Sequence, residues 1–396
     1  MRAQEPAGPA LAGPGGPRRG PFPGGRGPRA PVRLAGQARR GPGAAPRPTA
    51  RIAQLEPYQW EISTPEAARL SGLTPEQVVR LDTNTCPWQL AGLEDVSSVS
   101  LAEYPDSSYA DLTERLAEYA GVASGLVTVG AGADEILALI ARTYLGPQDL
   151  VVVGEPSYGM FRVVAEAEGA QLVRVPDGDS DRLVEVAARA RLVFLCNPNN
   201  PTGALWPQGT AERLAAATPG LVVVDEAYFE FAGVTAAPLV TELPNLVVVR
   251  TLSKAFGLAG ARVGYCLAGA EVTRALARLR PPASVSSVSA ALGVVALSRR
   301  RRMQELVAAL LVRKLELARQ VSELGLEVRP TATNFLLASC PEGMAERLLA
   351  RGLVVRTFPA PSELGGWMRV TVRDEAGNLR LLQGVAELRT ADGGLA

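Results

Sequence analysis

Lys254 stands in "RTLSKAFGLAG", residues 250–260, directly after the apolar run "NLVVV", with Ser253 before it and Arg262 eight residues on. A lysine amine held in a partly desolvated pocket with cationic neighbours has a lowered pKa and is nucleophilic near neutrality. The plain alternative is a solvated strand end. A second apolar run, in "VVVDEAY", ends on Asp225, with Tyr228 three residues later. A carboxylate at the end of a buried strand is costly unless paired; a protonated ring nitrogen would satisfy it, and so would solvent. In "CNPNNPTG", residues 196–203, two Asn-Pro steps and a glycine follow a third run. Proline restricts the residue before it, so the amides, Asn200 among them, can be fixed above a sheet edge; the stretch also reads as a turn. The glycine-rich turn "VGAGADE", residues 129–135, lies between a strand and a helix. Asp134 and Glu135 occupy positions where a dinucleotide fingerprint needs a free residue and then Gly or Ala, which argues against a dinucleotide. The N–H groups at such a helix start suit a single phosphate, or simple capping.

Jointly these residues ask for an aldehyde at Lys254, a ring nitrogen at Asp225 and a phosphate at the glycine turn with Ser253 and Arg262. Pyridoxal 5'-phosphate carries all three.

Something must hold these groups at one edge. From about residue 108 helical and strand-like segments alternate, as a parallel sheet with crossover helices requires. "LVTVG", "DLVVVGEPSY", "AQLVRV", "RLVFLCNP", "GLVVVDEAY", "NLVVVRTLSK" and "RVGYCLA" read as strands. Several break off into polar residues, and in open α/β sheets that carboxyl edge is where ligands sit. After about residue 280 the pattern shifts to helices, one of them long and amphipathic, and then to "LEVRP", "TNFLLAS", "LVVRT" and "WMRVTV". The expected architecture is α/β: a large domain, 101–280, with a mostly parallel central sheet flanked by helices, and a smaller α+β C-terminal domain, 281–396. Residues 51–100 are expected to form an arm joining the small domain. Residues 1–50, mostly Gly, Pro, Ala and Arg, are expected to be a disordered extension, because they lack apolar periodicity.

That extension holds nine arginines and one acid, Glu5, so the remaining chain carries 32 basic against 39 acidic residues. A mildly acidic body argues against nucleic acid as a partner. No apolar run approaches the roughly 18 residues of a membrane helix, so no membrane partner is expected. The four cysteines lack CxxC spacing and histidine is absent, which leaves no zinc ligand set and no His-based triad. Reduced thiols in a cytoplasm are the expectation.

The order "GAGADE", "EPSYGMF", "CNPNNPTG", "DEAYFEF", "RTLSKAFGLAGARVGY", "TNFLL" and "WMRVTV" resembles the fold-type-I pyridoxal-phosphate aminotransferases, within them the histidinol-phosphate aminotransferase group, from about Leu55 to about residue 388. The resemblance implies that Lys254 is the Schiff-base residue and later moves a proton, and that Asp225 keeps the ring nitrogen protonated. It implies that Tyr228 and Asn200 bind the ring hydroxyl oxygen and that Tyr158 stacks on the ring. Backbone groups of Ala133 and Asp134, with Ser253 and Arg262, would cup the phosphate. Tyr104 of "AEYPDSSY" matches a tyrosine that reaches the phosphate of a neighbouring subunit, implying a homodimer. Arg356 and Arg369 match positions that hold the substrate's anion, and Asn334 matches a pocket residue. Where the group shows Asn-Glu-Asn-Pro-Tyr-Gly, this chain has "NTCPWQL": Asn84 is kept and Trp88 replaces the tyrosine. The implied activity is transfer of an amino group between histidinol phosphate and 2-oxoglutarate. An aromatic amino acid aminotransferase and a threonine-phosphate decarboxylase-like lyase are the rivals on the same scaffold.

Overall fold

A computed structural model describes residues 47–358 and 362–391. The expected extension therefore lies outside the described residues up to position 46, and its last residue, Ala50, opens a short helix, Ala50–Gln54.

A short strand, β1 (Val79–Arg80), precedes the main sheet. The next seven strands are β2 (Val127–Gly130), β3 (Leu150–Glu155), β4 (Gln171–Pro176), β5 (Leu192–Cys196), β6 (Leu221–Asp225), β7 (Leu246–Thr251) and β8 (Gly264–Ala268). They form one sheet in the order β2-β8-β7-β6-β5-β3-β4. All pairings are parallel except those of β8, which runs antiparallel to both neighbours. β5, β6 and β7 are buried at every position. Their alternate residues serve two cores: Val193, Leu195, Val222 and Val224 face one, and Leu192, Phe194, Leu221 and Val223 the other. Apolar surface on both faces is why these strands read as continuous runs of Val and Leu rather than as an alternating pattern.

The register aligns the polar ends. Cys196 lies opposite Asp225, and Asp225 opposite Val249, so the loops after β5, β6 and β7 leave the sheet at one edge. The strand order reverses between β3 and β5, and a crevice opens at such a switch point. Tyr158 follows β3 there and Asn200 follows β5.

The helix Ala133–Tyr144 buries Ile136, Leu137, Leu139, Ile140 and Ala141, and it begins on Gly132, whose φ of 84° is left-handed. Gly264, at the start of β8, abuts that turn. A Cβ on Gly264 would lie 2.2 Å from the Gly132 carbonyl carbon and 2.3 Å from the Ala133 nitrogen. Only glycine lets the strand and the helix start come this close.

A second sheet, β12-β13-β10-β9, is antiparallel throughout. Its strands fall among β9 (Val328–Arg329), β10 (Phe335–Ser339), β11 (Leu353–Val354), β12 (Arg356–Thr357) and β13 (Trp367–Thr371). "LVVRT", expected as one strand, divides at Val355: β11 pairs with β1, while β12 pairs with β13. The division has a purpose for the site. Leu81 N–H donates to the Val354 carbonyl and Thr371 N–H to the Leu81 carbonyl, which fixes the path of residues 82–85. The long helix Arg300–Glu323 turns Met303, Val307, Leu310, Lys314, Leu317 and Val321 inward, a spacing of alternating four and three.

Gly264→Ala should lower stability by about 1–3 kcal/mol, the usual cost of overpacking a filled site. Denaturant unfolding with an unchanged midpoint would show that the strand and the helix start are not in contact.

Candidate active site

At the carboxyl edge a cavity of about 320 Å³ gathers most of the residues singled out from the sequence. Lys254, Asp225, Tyr228, Asn200 and Asn84 line it, as do Ala133, Asp134, Tyr158, Ser253, Arg262 and Arg369.

Lys254 Nζ donates to the Thr83 carbonyl at 3.3 Å and lies 5.4 Å from the centre of the Tyr228 ring. Burial disfavours its charged form and the Arg369 guanidinium adds repulsion, so the amine is pushed down to about 8. A sizeable fraction is therefore neutral near physiological pH.

Asp225 is 4% exposed, and among the described residues the single hydrogen bond to its side chain comes from the Ala227 N–H at 3.0 Å. Burial pushes its carboxyl up to about 7, opposed by that hydrogen bond. A carboxylate with one donor at the bottom of a cavity is an acceptor awaiting a proton-bearing partner. The Tyr228 hydroxyl accepts from Asn84 Nδ2 at 3.0 Å, which leaves its own proton to donate. Asn200 spends its Oδ1 on Arg369 Nη1, and its Nδ2 has no partner among the described residues. Two donors thus remain for one oxygen atom.

At the helix start, Ala133 and Asp134 carry leading N–H groups and no side chain caps them. Ser253 Oγ lies 2.8 Å from Thr251 Oγ1, which also meets the Val263 carbonyl at 3.0 Å, and this fixes the Ser253 hydroxyl at the cavity wall. Arg262 is aimed here by the Asp134 carboxylate at 2.9 Å, which also accepts from the Tyr158 hydroxyl at 2.8 Å. An amine, a lone buried carboxylate, two unspent donors and an anion cradle are together the donor set that pyridoxal phosphate requires, so the cavity fits that group.

Four expected site residues lie elsewhere. Trp88 is absent from the cavity lining, because its indole N–H donates to the Ala255 carbonyl at 2.9 Å and the ring packs against the core. It braces the backbone next to Lys254. Asn334 is fully buried and donates to the Asn84 carbonyl at 3.0 Å, so it acts on the cavity through Asn84. Tyr104 is 92% exposed beside a separate pocket. Arg356 lines a second pocket of about 230 Å³, which shares Tyr58, Glu61 and Arg369 with the first.

Tyr58, Glu61, Arg80 and Thr83 also line the cavity and were not singled out from the sequence. Tyr58 and Glu61 fall in a segment without helix or strand, so no periodicity marks them. Another sequence signal was available for the amine. The whole chain carries two lysines, Lys254 and Lys314. Lys314 spends its Nζ on the Thr331 and Thr333 carbonyls, at 2.6 and 2.8 Å.

Comparison with known proteins identifies the family. Residues 78–385 match the family model "Aminotransferase class I and II". A histidinol-phosphate aminotransferase of Thermoanaerobacter pseudethanolicus is 36% identical over 327 residues, which cover 78% of this chain and 92% of that protein. One from Thermococcus gammatolerans is 37% identical over 321 residues, with the same two coverages. Among solved structures, histidinol-phosphate aminotransferase from Sinorhizobium meliloti in complex with pyridoxal-5'-phosphate superposes with a TM-score of 0.79 at 28% identity, covering 88% of this chain and 99% of that one. A Thermus thermophilus aspartate aminotransferase shares the fold, with a TM-score of 0.71 at 23% identity, covering 87% of this chain and 100% of that one.

The buried Asp225 carboxyl makes stability depend on pH. The folded chain keeps its proton up to about pH 7, whereas the unfolded chain releases it near 3.8. Between those values the native state binds more protons, so this group's contribution to stability falls as pH rises. Cofactor-free Asp225→Asn should therefore be more stable than the parent at pH 8, by on the order of 2–4 kcal/mol, and nearly equal to it at pH 4. Urea unfolding at both pH values measures the difference; a variant less stable at pH 8 would contradict it.

Proposed function

The chain belongs to the class I and II aminotransferases, and from that premise we propose that it holds pyridoxal 5'-phosphate in the cavity and moves the amino group of histidinol phosphate to 2-oxoglutarate. The observation that carries this reading is the pairing, within one cavity, of a depressed lysine amine with a buried, nearly unpartnered carboxylate. The relatives that carry the histidinol-phosphate aminotransferase name, at 36% and 37% identity, support the choice of substrate.

In this reading Lys254 Nζ holds the aldehyde carbon, Asp225 the ring nitrogen, and Tyr228 and Asn200 the ring oxygen. Tyr158 covers a ring face. The N–H groups of Ala133 and Asp134, the Ser253 hydroxyl and the Arg262 guanidinium take the phosphate. The cofactor supplies an electron sink that makes the substrate's Cα–H acidic. Each residue then has a physical task. Asp225, buried and facing a ring N–H, keeps that proton in place, since releasing it would leave the carboxylate without a counter-charge. Lys254 Nζ takes the Cα proton and returns it, and a pKa of about 8 suits both directions near neutral pH. Asn84 and Asn334 position the Tyr228 hydroxyl. Arg369 and Arg356 bind the substrate's anion, for which a planar guanidinium fork matches two oxygens at once.

Replacement of the group's usual tyrosine by Trp88 weighs little against this substrate, because the ring packs beneath Ala255. For the same reason it lends no support to an aromatic substrate. We further infer a cytoplasmic homodimer, in which exposed Tyr104 reaches the phosphate of the neighbouring subunit, and a division into a large domain, 101–280, and a small one, 281–396.

Two outcomes follow. Holoprotein mixed separately with histidinol phosphate, phenylalanine and phosphothreonine should lose its Schiff-base absorption band with histidinol phosphate alone; bleaching by phenylalanine instead would replace this substrate with an aromatic one. Lys254→Ala should reduce turnover by at least about 10²- to 10⁴-fold, the range for a general acid–base group, and full retained turnover would remove the lysine from the reaction.

A further inference from the structure

We propose that Glu61 is an internal carboxylate that occupies the anion subsite formed by Arg356 and Arg369 and is displaced from it by the substrate's own anion. This rests on the reading of that arginine pair as the substrate-anion site.

The register sets the problem. Arg356 on β12 lies directly opposite Arg369 on β13, and like charges directly opposite each other destabilise an antiparallel pair. An anion between them is needed. Glu61 Oε1 supplies one, 3.5 Å from Arg356 Nη1 and 3.6 Å from Arg369 Nη2. Charge-assisted hydrogen bonds in well-made pairs are about 2.7–2.9 Å long, so Glu61 neutralises the arginines without engaging either fork. Arg369 Nε is buried and has no partner among the described residues, so its donors are not all spent.

The position of Glu61 makes displacement consequential. It belongs to both the cofactor cavity and the second pocket, together with Tyr58, Tyr158, Asn200 and Arg369, whereas Arg356 lines the second pocket alone. Glu61 therefore stands in the partition between them, and its withdrawal would expose both guanidinium groups to one ligand. Its segment, 55–63, has no helix or strand and is held by scattered contacts. Arg162 donates to the Glu56 carbonyl at 3.0 Å and Arg356 to the Gln59 carbonyl at 3.5 Å, while the Tyr58 ring meets Trp60 and Tyr158 edge-on.

A tethered carboxylate competes at an effective concentration of about millimolar order, so an incoming anion must outbind it. A phosphate dianion can neutralise both arginines and displaces Glu61 readily; a monocarboxylate only replaces like with like. Glu61 thereby weakens every anion at the arginine pair by one common factor, so that only a strongly bound ligand such as a phosphate monoester displaces it at low concentration.

The test uses full-length, pyridoxal-phosphate-loaded protein titrated calorimetrically with methyl phosphate and with acetate. Glu61→Gln should bind methyl phosphate about 3- to 10-fold more tightly than the parent and tighten acetate by a similar factor, while Arg356→Gln binds methyl phosphate more weakly. Glu61→Ala should shift in the same direction as Glu61→Gln, which separates lost competition from local misfolding. Unchanged or weaker methyl phosphate binding by both Glu61 variants overturns the proposal, as does the absence of binding in all proteins. Because no amino donor is turned over, a failure here is distinct from a failure of histidinol phosphate to bleach the cofactor band.

Discussion

Asp225 ends a strand that is buried at every position, and the cost of keeping a carboxylate there organises the active site. Among the described residues one backbone N–H is the sole donor to its side chain, and burial holds its proton up to about pH 7. A partner bearing a proton removes the penalty and gains a charge-assisted hydrogen bond in a weakly polar setting. The same desolvated space weakens the charged form of Lys254. One physical condition, exclusion of water from the carboxyl edge of β5 to β7, thus prepares both an acceptor and a nucleophile. The destabilisation it causes without a ligand is the usual cost of a preorganised site.

The second sheet contributes charge of the opposite sign. β12 and β13 hold two arginines side by side, and the first half of the site places its anion cradle at the start of the helix Ala133–Tyr144. Residues 82–85 join these regions, since the backbone around Leu81 is hydrogen-bonded to β11 and β13 while Thr83 and Asn84 reach Lys254 and Tyr228. Arg80 adds a bidentate pair with buried Asp82, at 2.7 and 2.8 Å, which stiffens the same stretch. The Lys254 amine and the paired arginines are therefore coupled through a short, well-bonded segment.

Much of this was legible in the sequence, for a definite reason. A strand buried on both faces is mostly apolar, so the polar residues that end its run mark the sheet edge; Asp225 closes one such run, and Arg250 and Thr251, just before Ser253 and Lys254, close another. What escaped depends on contacts distant in sequence. Trp88 reads as a pocket residue until its indole N–H is seen to seek the Ala255 carbonyl. "LVVRT" reads as one strand until β1 claims its first half. Tyr58 and Glu61 lie in an aperiodic segment, and their roles arise from Tyr158, Arg356 and Arg369, roughly 100 to 310 residues away in the chain.

With two lysines in the chain, one experiment decides where the chemistry resides. Both amines are pushed down to about 8 by burial, so basicity alone does not separate them. Geometry does: Lys254 opens onto the cavity, whereas Lys314 is tied to two carbonyls beneath the long helix. Borohydride reduction of the pyridoxal-phosphate-loaded protein, followed by peptide mass mapping, should place the phosphopyridoxyl group on Lys254 at about one per chain. A label on Lys314, or label divided between the two, would contradict the cavity as the site of reaction.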